Sequence, residues 1–120
     1  MSGAKSFEDL LVWQKAQSLT LDIYNLTNSF PNSEQFGITS QMRRAAYSVP
    51  SNIAEWFAKN GVKDKLRFYN IAQGSLQELK YFVLLSNDLN YHSKCESLIE
   101  LINEVGRMLN GYISKIKTNL

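Results

Sequence analysis

The sequence predicts an all-α fold: an antiparallel up-down four-helix bundle forming a single domain over residues 1–120. Three observations carry that expectation. Apolar residues recur every three or four positions in four successive segments, which is the spacing of one helix face. No segment alternates with period two over a strand's length. The breaks between segments are short, which makes neighbouring helices antiparallel.

The first segment covers roughly residues 7–29. Val12, Ala16, Leu19, Ile23 and Leu26 form its stripe, widened by Trp13 and Tyr24. Ser6 precedes Glu8 and Asp9, placing acids in the first turn where the helix dipole favours them. Phe30-Pro31 ends it, because the residue before proline avoids the α region.

The second segment covers roughly 34–60, with Met42, Ala45, Val49, Ile53 and Trp56 or Phe57 as its stripe. Pro50 removes a backbone donor and crowds the preceding turn. A kink at Pro50 is expected, or else two short helices meeting at Ser48 or Val49. The apolar phase continues across the proline, which favours the kink. Asn60-Gly61 is the expected stop.

The third segment, roughly 63–87, carries Leu66, Tyr69, Ala72, Leu76, Leu79 and Val83 on one face. Phe68, Ile71, Phe82 and Leu85 widen that arc, so this helix is expected to be the most buried. Gly74-Ser75 lies inside it at a cost of up to about 1 kcal/mol relative to alanine. Close packing against Ala45-Ala46 is the expected offset. The fourth segment, roughly 93–117, shows Leu98, Leu101 or Ile102, Val105, Met108 or Leu109, Tyr112 and Ile116. Lys115 and Lys117 suit the dipole of its last turn.

Composition excludes several classes. A hydrophobic fraction of 44% and a charged fraction of 20% are those of a globular chain. The one cysteine, Cys95, cannot form an intrachain disulfide. The first residues lack the apolar run of a signal peptide, and no stretch approaches the roughly 20 apolar residues of a membrane span. The expected location is the cytoplasm, with no membrane association. Without a secretion signal, the Asn25-Leu26-Thr27 sequon is read as chance. A net charge of +2 by itself points to no partner.

No catalytic constellation emerges. The glycines are scattered, so no phosphate loop is present. His92 and Cys95 have helical spacing but are the lone histidine and cysteine, too few for a zinc site. A Cys–His nucleophile pair would need a third orienting group, which Glu96 or Asp88 would supply only by accident of geometry. Two Glu-x-x-His motifs of a di-iron bundle cannot be drawn from one histidine. The expectation is a protein with no enzyme activity, metal or cofactor.

The second segment carries the most suggestive polar pattern. Arg44, Ser48, Asn52, Glu55 and Lys59 step by four, four, three and four. With Gln41 and with Glu78 on the third segment, they form a candidate polar network; Glu78 is expected to meet Arg43 or Arg44. Such a stripe is either a groove for a ligand or RNA, or a hydrogen-bonded network that sets helix register or a subunit contact. The structural reading is preferred, because buried polar groups must pair in any case. Cations cluster around the turn before the third segment. Arg43, Arg44, Lys59, Lys63, Lys65 and Arg67 are the nucleic-acid-contact candidates, with Tyr69 or Phe57 as bases' stacking partners. The alternative is a solvated turn.

Longer motifs then become recognisable. They begin with Phe7-Glu8-Asp9-Leu10 and Val12-Trp13-Gln14-Lys15-Ala16. They continue through Phe30-Pro31, Glu34, Phe36-Gly37, Thr39-Ser40-Gln41 and Arg43-Arg44-Ala45-Ala46. The run Ser48-Val49-Pro50-Ser51-Asn52-Ile53-Ala54-Glu55 follows, and then Ala72-Gln73-Gly74-Ser75-Leu76-Gln77-Glu78-Leu79. Over nearly the whole chain this resembles the four-helix-bundle proteins encoded in intervening sequences of bacterial 23S ribosomal RNA genes. Those proteins are similar to the accessory variability protein of diversity-generating retroelements, a basic homopentameric barrel that binds nucleic acid together with a reverse transcriptase. The resemblance implies the same bundle, a ring-like homo-oligomer (a homopentamer) and an RNA role. Two features depart from it. Trp56-Phe57-Ala58-Lys59 stands where the family usually has glycine, a small residue and arginine, so Trp56 is expected at a subunit contact or filling a local gap. The charge of +2 is also milder than the retroelement protein's. Two functions follow as expectations: a non-catalytic RNA-binding or RNA-associated homo-oligomer, or an oligomeric scaffold that recruits a protein partner.

Overall fold

The structure is a computed structural model that describes residues 3–118. It is all-helical: α1 (Leu11–Thr27), α2 (Ile38–Ala58), α3 (Val62–Asp88) and α4 (Cys95–Thr118), with no strand among the described residues. α1 packs on α2, α2 on α3, α3 on α4 and α4 back on α1, closing a four-helix bundle. Hydrogen bonds show the order of contact. Thr20 reaches Ala46, while the later Thr27 reaches the earlier Arg43. Ser48 meets Ser75, and Trp56 meets Lys65. Tyr69 meets Asn110, and Lys80 meets Asn103. Contacts therefore advance along one helix as they retreat along the next.

The core follows the apolar spacing. Val12, Ala16, Leu19 and Ile23 face Met42, Ala45, Val49 and Ile53, with Leu76, Leu79, Val83, Ile102 and Val105 completing the interior. α2 is the most buried helix, with nine of its 21 residues buried against five of 27 in α3. α3 buries less than its wide apolar arc predicts because Ile71 and Leu84 point outward.

The helix starts differ from the sequence expectation. Residues Phe7–Asp9 form a separate one-turn 3-10 helix, and Leu10 is extended with φ −78° and ψ 127°. The Ser6 hydroxyl accepts from the Glu8 N–H, and the Asp9 carboxylate accepts from the Ser6 N–H. This reciprocal cap closes the short turn locally, and buried Leu10 anchors the chain before α1 begins. Asn32–Glu34 is another 3-10 turn, so α2 starts at Ile38. The Glu34 carboxylate accepts from the Ile38 N–H, at the helix N-terminus where an anion is favoured.

α2 is one continuous helix with Pro50 inside it, which excludes two short helices meeting at Ser48 or Val49. Pro50 has no N–H for the Ala46 carbonyl four residues earlier. The Thr20 hydroxyl of α1 lies 3.1 Å from that carbonyl and 2.9 Å from the Ala16 carbonyl, and donates to them. At the Gly74-Ser75 pair the contact with α2 is made by Ser75, whose hydroxyl lies 2.7 Å from that of Ser48, and not by the glycine. Gly74 is exposed, and a Cβ added there would meet nothing within 4 Å. At Gly106 of α4 an added Cβ would lie 3.5 Å from the Leu76 side chain.

Asn90 follows α3 with φ 63°. The Asn90 N–H donates to the Asn87 carbonyl and the Tyr91 N–H to the Ser86 carbonyl, both at 2.9 Å. This is a Schellman ending with asparagine in the left-handed position.

Candidate nucleic-acid interface

The six cationic candidates separate into two groups. Arg43 and Arg44 stand in the early turns of α2, and Lys59 follows its last turn. The 15 residues from Arg44 to Lys59 span about 22 Å of helix axis. Lys59, Lys63, Lys65 and Arg67 gather at the α2–α3 turn.

Arg43 serves the bundle itself. Its Nε donates to the Thr27 hydroxyl at 2.8 Å and its Nη2 to the Asn28 side chain at 3.0 Å. Its guanidinium lies 4.7 Å from the centre of the Tyr24 ring. The buried Thr27 hydroxyl, in turn, donates to the Ile23 carbonyl at 2.8 Å. Arg44 is exposed and donates to Gln41 at 3.3 Å.

At the α2–α3 turn, Lys65 is also structural. Its ammonium donates to the Trp56 carbonyl at 3.0 Å, a second donor to an oxygen that also accepts the Lys59 N–H at 3.1 Å, so Lys65 reinforces the cap of α2. Burial lowers the Lys65 pKa below 10.5, since desolvation disfavours its charged form. Lys59 pairs with Glu55 at 3.8 Å and stands 5.4 Å from the centre of the Phe68 ring. The Arg67 guanidinium lies 4.7 Å from the same ring. Lys63 and Arg67 are exposed. The turn therefore presents two cations, Lys59 and Arg67, over half-buried Phe68, with Lys63 exposed in the first turn of α3.

Phe68, and not Tyr69 or Phe57, is the aromatic residue framed by charge. Tyr69 donates to Asn110 at 2.5 Å; all three rings are half-buried against the core, and Phe68 alone among them has cations over its face. The adjacency of Arg67 and Phe68 was visible in sequence. What the spacing could not show was that Lys59, nine residues earlier, returns to the same ring.

The polar stripe resolves into local pairs. Ser48 and Ser75 hydroxyls lie 2.7 Å apart across α2 and α3, and the Asn52 amide donates to the Ser48 carbonyl and hydroxyl at 2.7 and 3.1 Å. Gln41 stays with Arg44, and Glu55 with Lys59. Glu78 makes no ion pair with Arg43 or Arg44: Arg43 turns to Thr27 and Asn28 on the α1 side, and Arg44 donates to Gln41. Trp56 is buried against the bundle core, edge-on to Tyr112 at 5.4 Å.

Near the other end, His92 links the α3–α4 connection. Its Nδ1 accepts from the Lys94 N–H at 3.0 Å, and its Nε2 lies 3.0 Å from the Ser86 hydroxyl. Among the described residues, no group of three His, Cys, Asp or Glu side chains is placed to hold a metal ion. No helix among them is long and apolar enough to cross a membrane.

No curated protein matches the chain. Among solved structures, it is similar to a protein of unknown function from the S23 ribosomal protein family of Bacteroides thetaiotaomicron. The two share 24% identity over 87% of this chain and 96% of that one, with a TM-score of 0.80. That likeness concerns the fold. The sequence profile of the 23S rRNA-intervening sequence proteins matches residues 8–111, the whole bundle apart from its two ends. The chain belongs to the 23S rRNA-intervening sequence protein family.

Proposed function

We propose that this chain is a non-catalytic, cytoplasmic homo-oligomer that binds RNA through the α2–α3 turn. The observation that carries the reading is the pair Lys59 and Arg67 over the Phe68 ring, with exposed Lys63 on the same turn. Cations contact phosphates without sequence preference, and an aromatic face stacks on an unpaired base. Arg44 extends the cationic surface along α2, while Arg43 and Lys65 support the surface by holding the bundle together.

Exposed apolar side chains support the oligomer. Leu11 and Leu21 on α1, and Ile71, Tyr81 and Leu84 on α3, lie outside the bundle core. A ring, a homopentamer as in the retroelement relative, would cover such faces and repeat the cationic turn around its rim. A monomer in light scattering at micromolar concentration would refute this part.

RNA binding is tested by fluorescence anisotropy with a structured RNA over a salt series. Two to three phosphate contacts per chain correspond to an affinity loss of roughly tenfold or more between about 50 and 200 mM salt. Absence of binding at the lowest salt would refute the RNA reading. A second reading, a scaffold for a protein partner, is favoured by Phe36, which is 89% exposed in the connection before α2. Purification from native cells, with RNA sequencing and mass spectrometry on the same material, separates the two.

A further inference from the structure

Trp56 is 8% exposed, yet its indole Nε1 has no hydrogen-bond partner; it is the one such buried side-chain polar atom among the described residues. A buried donor left unpaired costs free energy, and its persistence asks for an explanation. Trp56 lines a cleft of about 320 Å³ between Leu10, the end of α2 and the end of α4. Phe57, Tyr112 and Ile116 supply further apolar wall, and the two charged residues lining the cleft, Lys65 and Lys115, are both cations.

We propose that this cleft binds a small organic anion with an aromatic or branched apolar body. The body lies against Leu10, Phe57 and Ile116, and the anionic group sits between the two ammonium groups. A small side-chain shift then gives the Trp56 N–H an acceptor. Small-molecule sites have this make-up, an apolar wall with a few convergent polar groups. Lys65 spends one N–H on the Trp56 carbonyl, which leaves two. The desolvation that disfavours its charge would be offset by an anion beside it. The site stands apart from the RNA reading, because Lys63 and Arg67 do not line it.

The test is a titration of the full, 15N-labelled chain with 2-naphthoate, followed by NMR at the two indole N–H signals. The Trp13→Phe variant assigns them. The Trp56 signal is expected to move saturably downfield while that of Trp13 stays in place. The uncharged 2-naphthamide is expected to bind about tenfold more weakly, the value of one charge-assisted contact. Lys115→Gln is expected to lose a similar factor and Lys115→Arg to keep the affinity. Lack of a saturable Trp56 shift would overturn the proposal. So would equal binding of acid and amide, or undiminished binding by a folded Lys115→Gln variant, which would leave Lys115 serving only the α4 terminus.

Discussion

Thr20 supplies the hydrogen bond that Pro50 withholds. The proline removes the helical donor for the Ala46 carbonyl, and the Thr20 hydroxyl of the neighbouring helix stands 3.1 Å from that oxygen. The helix continues through the proline, and its carbonyl is satisfied inside the interface. Thr20→Val keeps the shape and leaves a buried carbonyl without a partner, so a loss of about 1–3 kcal/mol is expected in urea denaturation. In a Pro50→Ala background the helix has its own donor, and Thr20→Val should cost less by about 0.5–1.5 kcal/mol. Equal costs in both backgrounds would show that the two residues are not coupled.

Asn90 is the second place where the backbone demands a particular residue. Its φ of 63° is strained for any side chain except short polar ones, and it closes the end of α3. Asn90→Ala is expected to lower stability by about 1–2 kcal/mol. Asn90→Gly, free of the Cβ clash, should be neutral or stabilising. Thermal melts of the two variants check the order, and an alanine variant as stable as the glycine one would contradict it.

Tyr91 ties the α3–α4 connection to the entry of α2. Its hydroxyl donates to Glu34 at 2.8 Å, and the other Glu34 oxygen receives the Ile38 N–H. The hydrogen bond to Glu34, then burial, then the carboxylate charge raise the phenol pKa above 10.0. A folded-state pKa raised above the unfolded value stabilises below the unfolded value. That stabilisation is lost as pH rises through the folded one. The loss therefore falls in the alkaline range above about pH 10. Difference ultraviolet titration of the parent against Tyr91→Phe should show the missing phenol ionising above about pH 10, and the variant should flatten the alkaline decline in stability. A Tyr91→Phe profile parallel to the parent's would show that the contact has no such linkage.

The sequence already displayed what depends on spacing within one helix. Val12, Ala16, Leu19 and Ile23 announce the core face of α1, and Leu98 and Val105 do the same for α4. Contacts between distant residues were hidden. Thr20 and Pro50 lie 30 positions apart, and no local pattern links a threonine to a proline's orphaned carbonyl. Gly74 and Gly106 look alike in sequence, but only Gly106 has a neighbouring helix's side chain within 4 Å of where a Cβ would stand. The cationic cluster was partly readable: adjacency placed Lys63, Lys65 and Arg67 together. It could not show that Lys65 turns inward to Trp56, or that Arg43 is spent on Thr27 and Asn28.

That division of labour among the cations is measurable. Arg43→Gln removes hydrogen bonds to Thr27 and Asn28, one of them to a buried hydroxyl. Bonds to charged groups contribute about 1.5–3 kcal/mol, so a loss of that order in stability is expected. If Arg43 only holds α1 to α2, the salt dependence of RNA binding by the folded variant stays as it was. Lys63→Ala and Arg67→Ala act in the opposite sense. Both side chains are exposed, so stability should change by no more than about 0.5 kcal/mol. Each phosphate contact removed should reduce the slope of log affinity against log salt by about 1. A slope that responds to Arg43 and ignores Lys63 and Arg67 would move the proposed RNA-binding surface away from the α2–α3 turn to the start of α2.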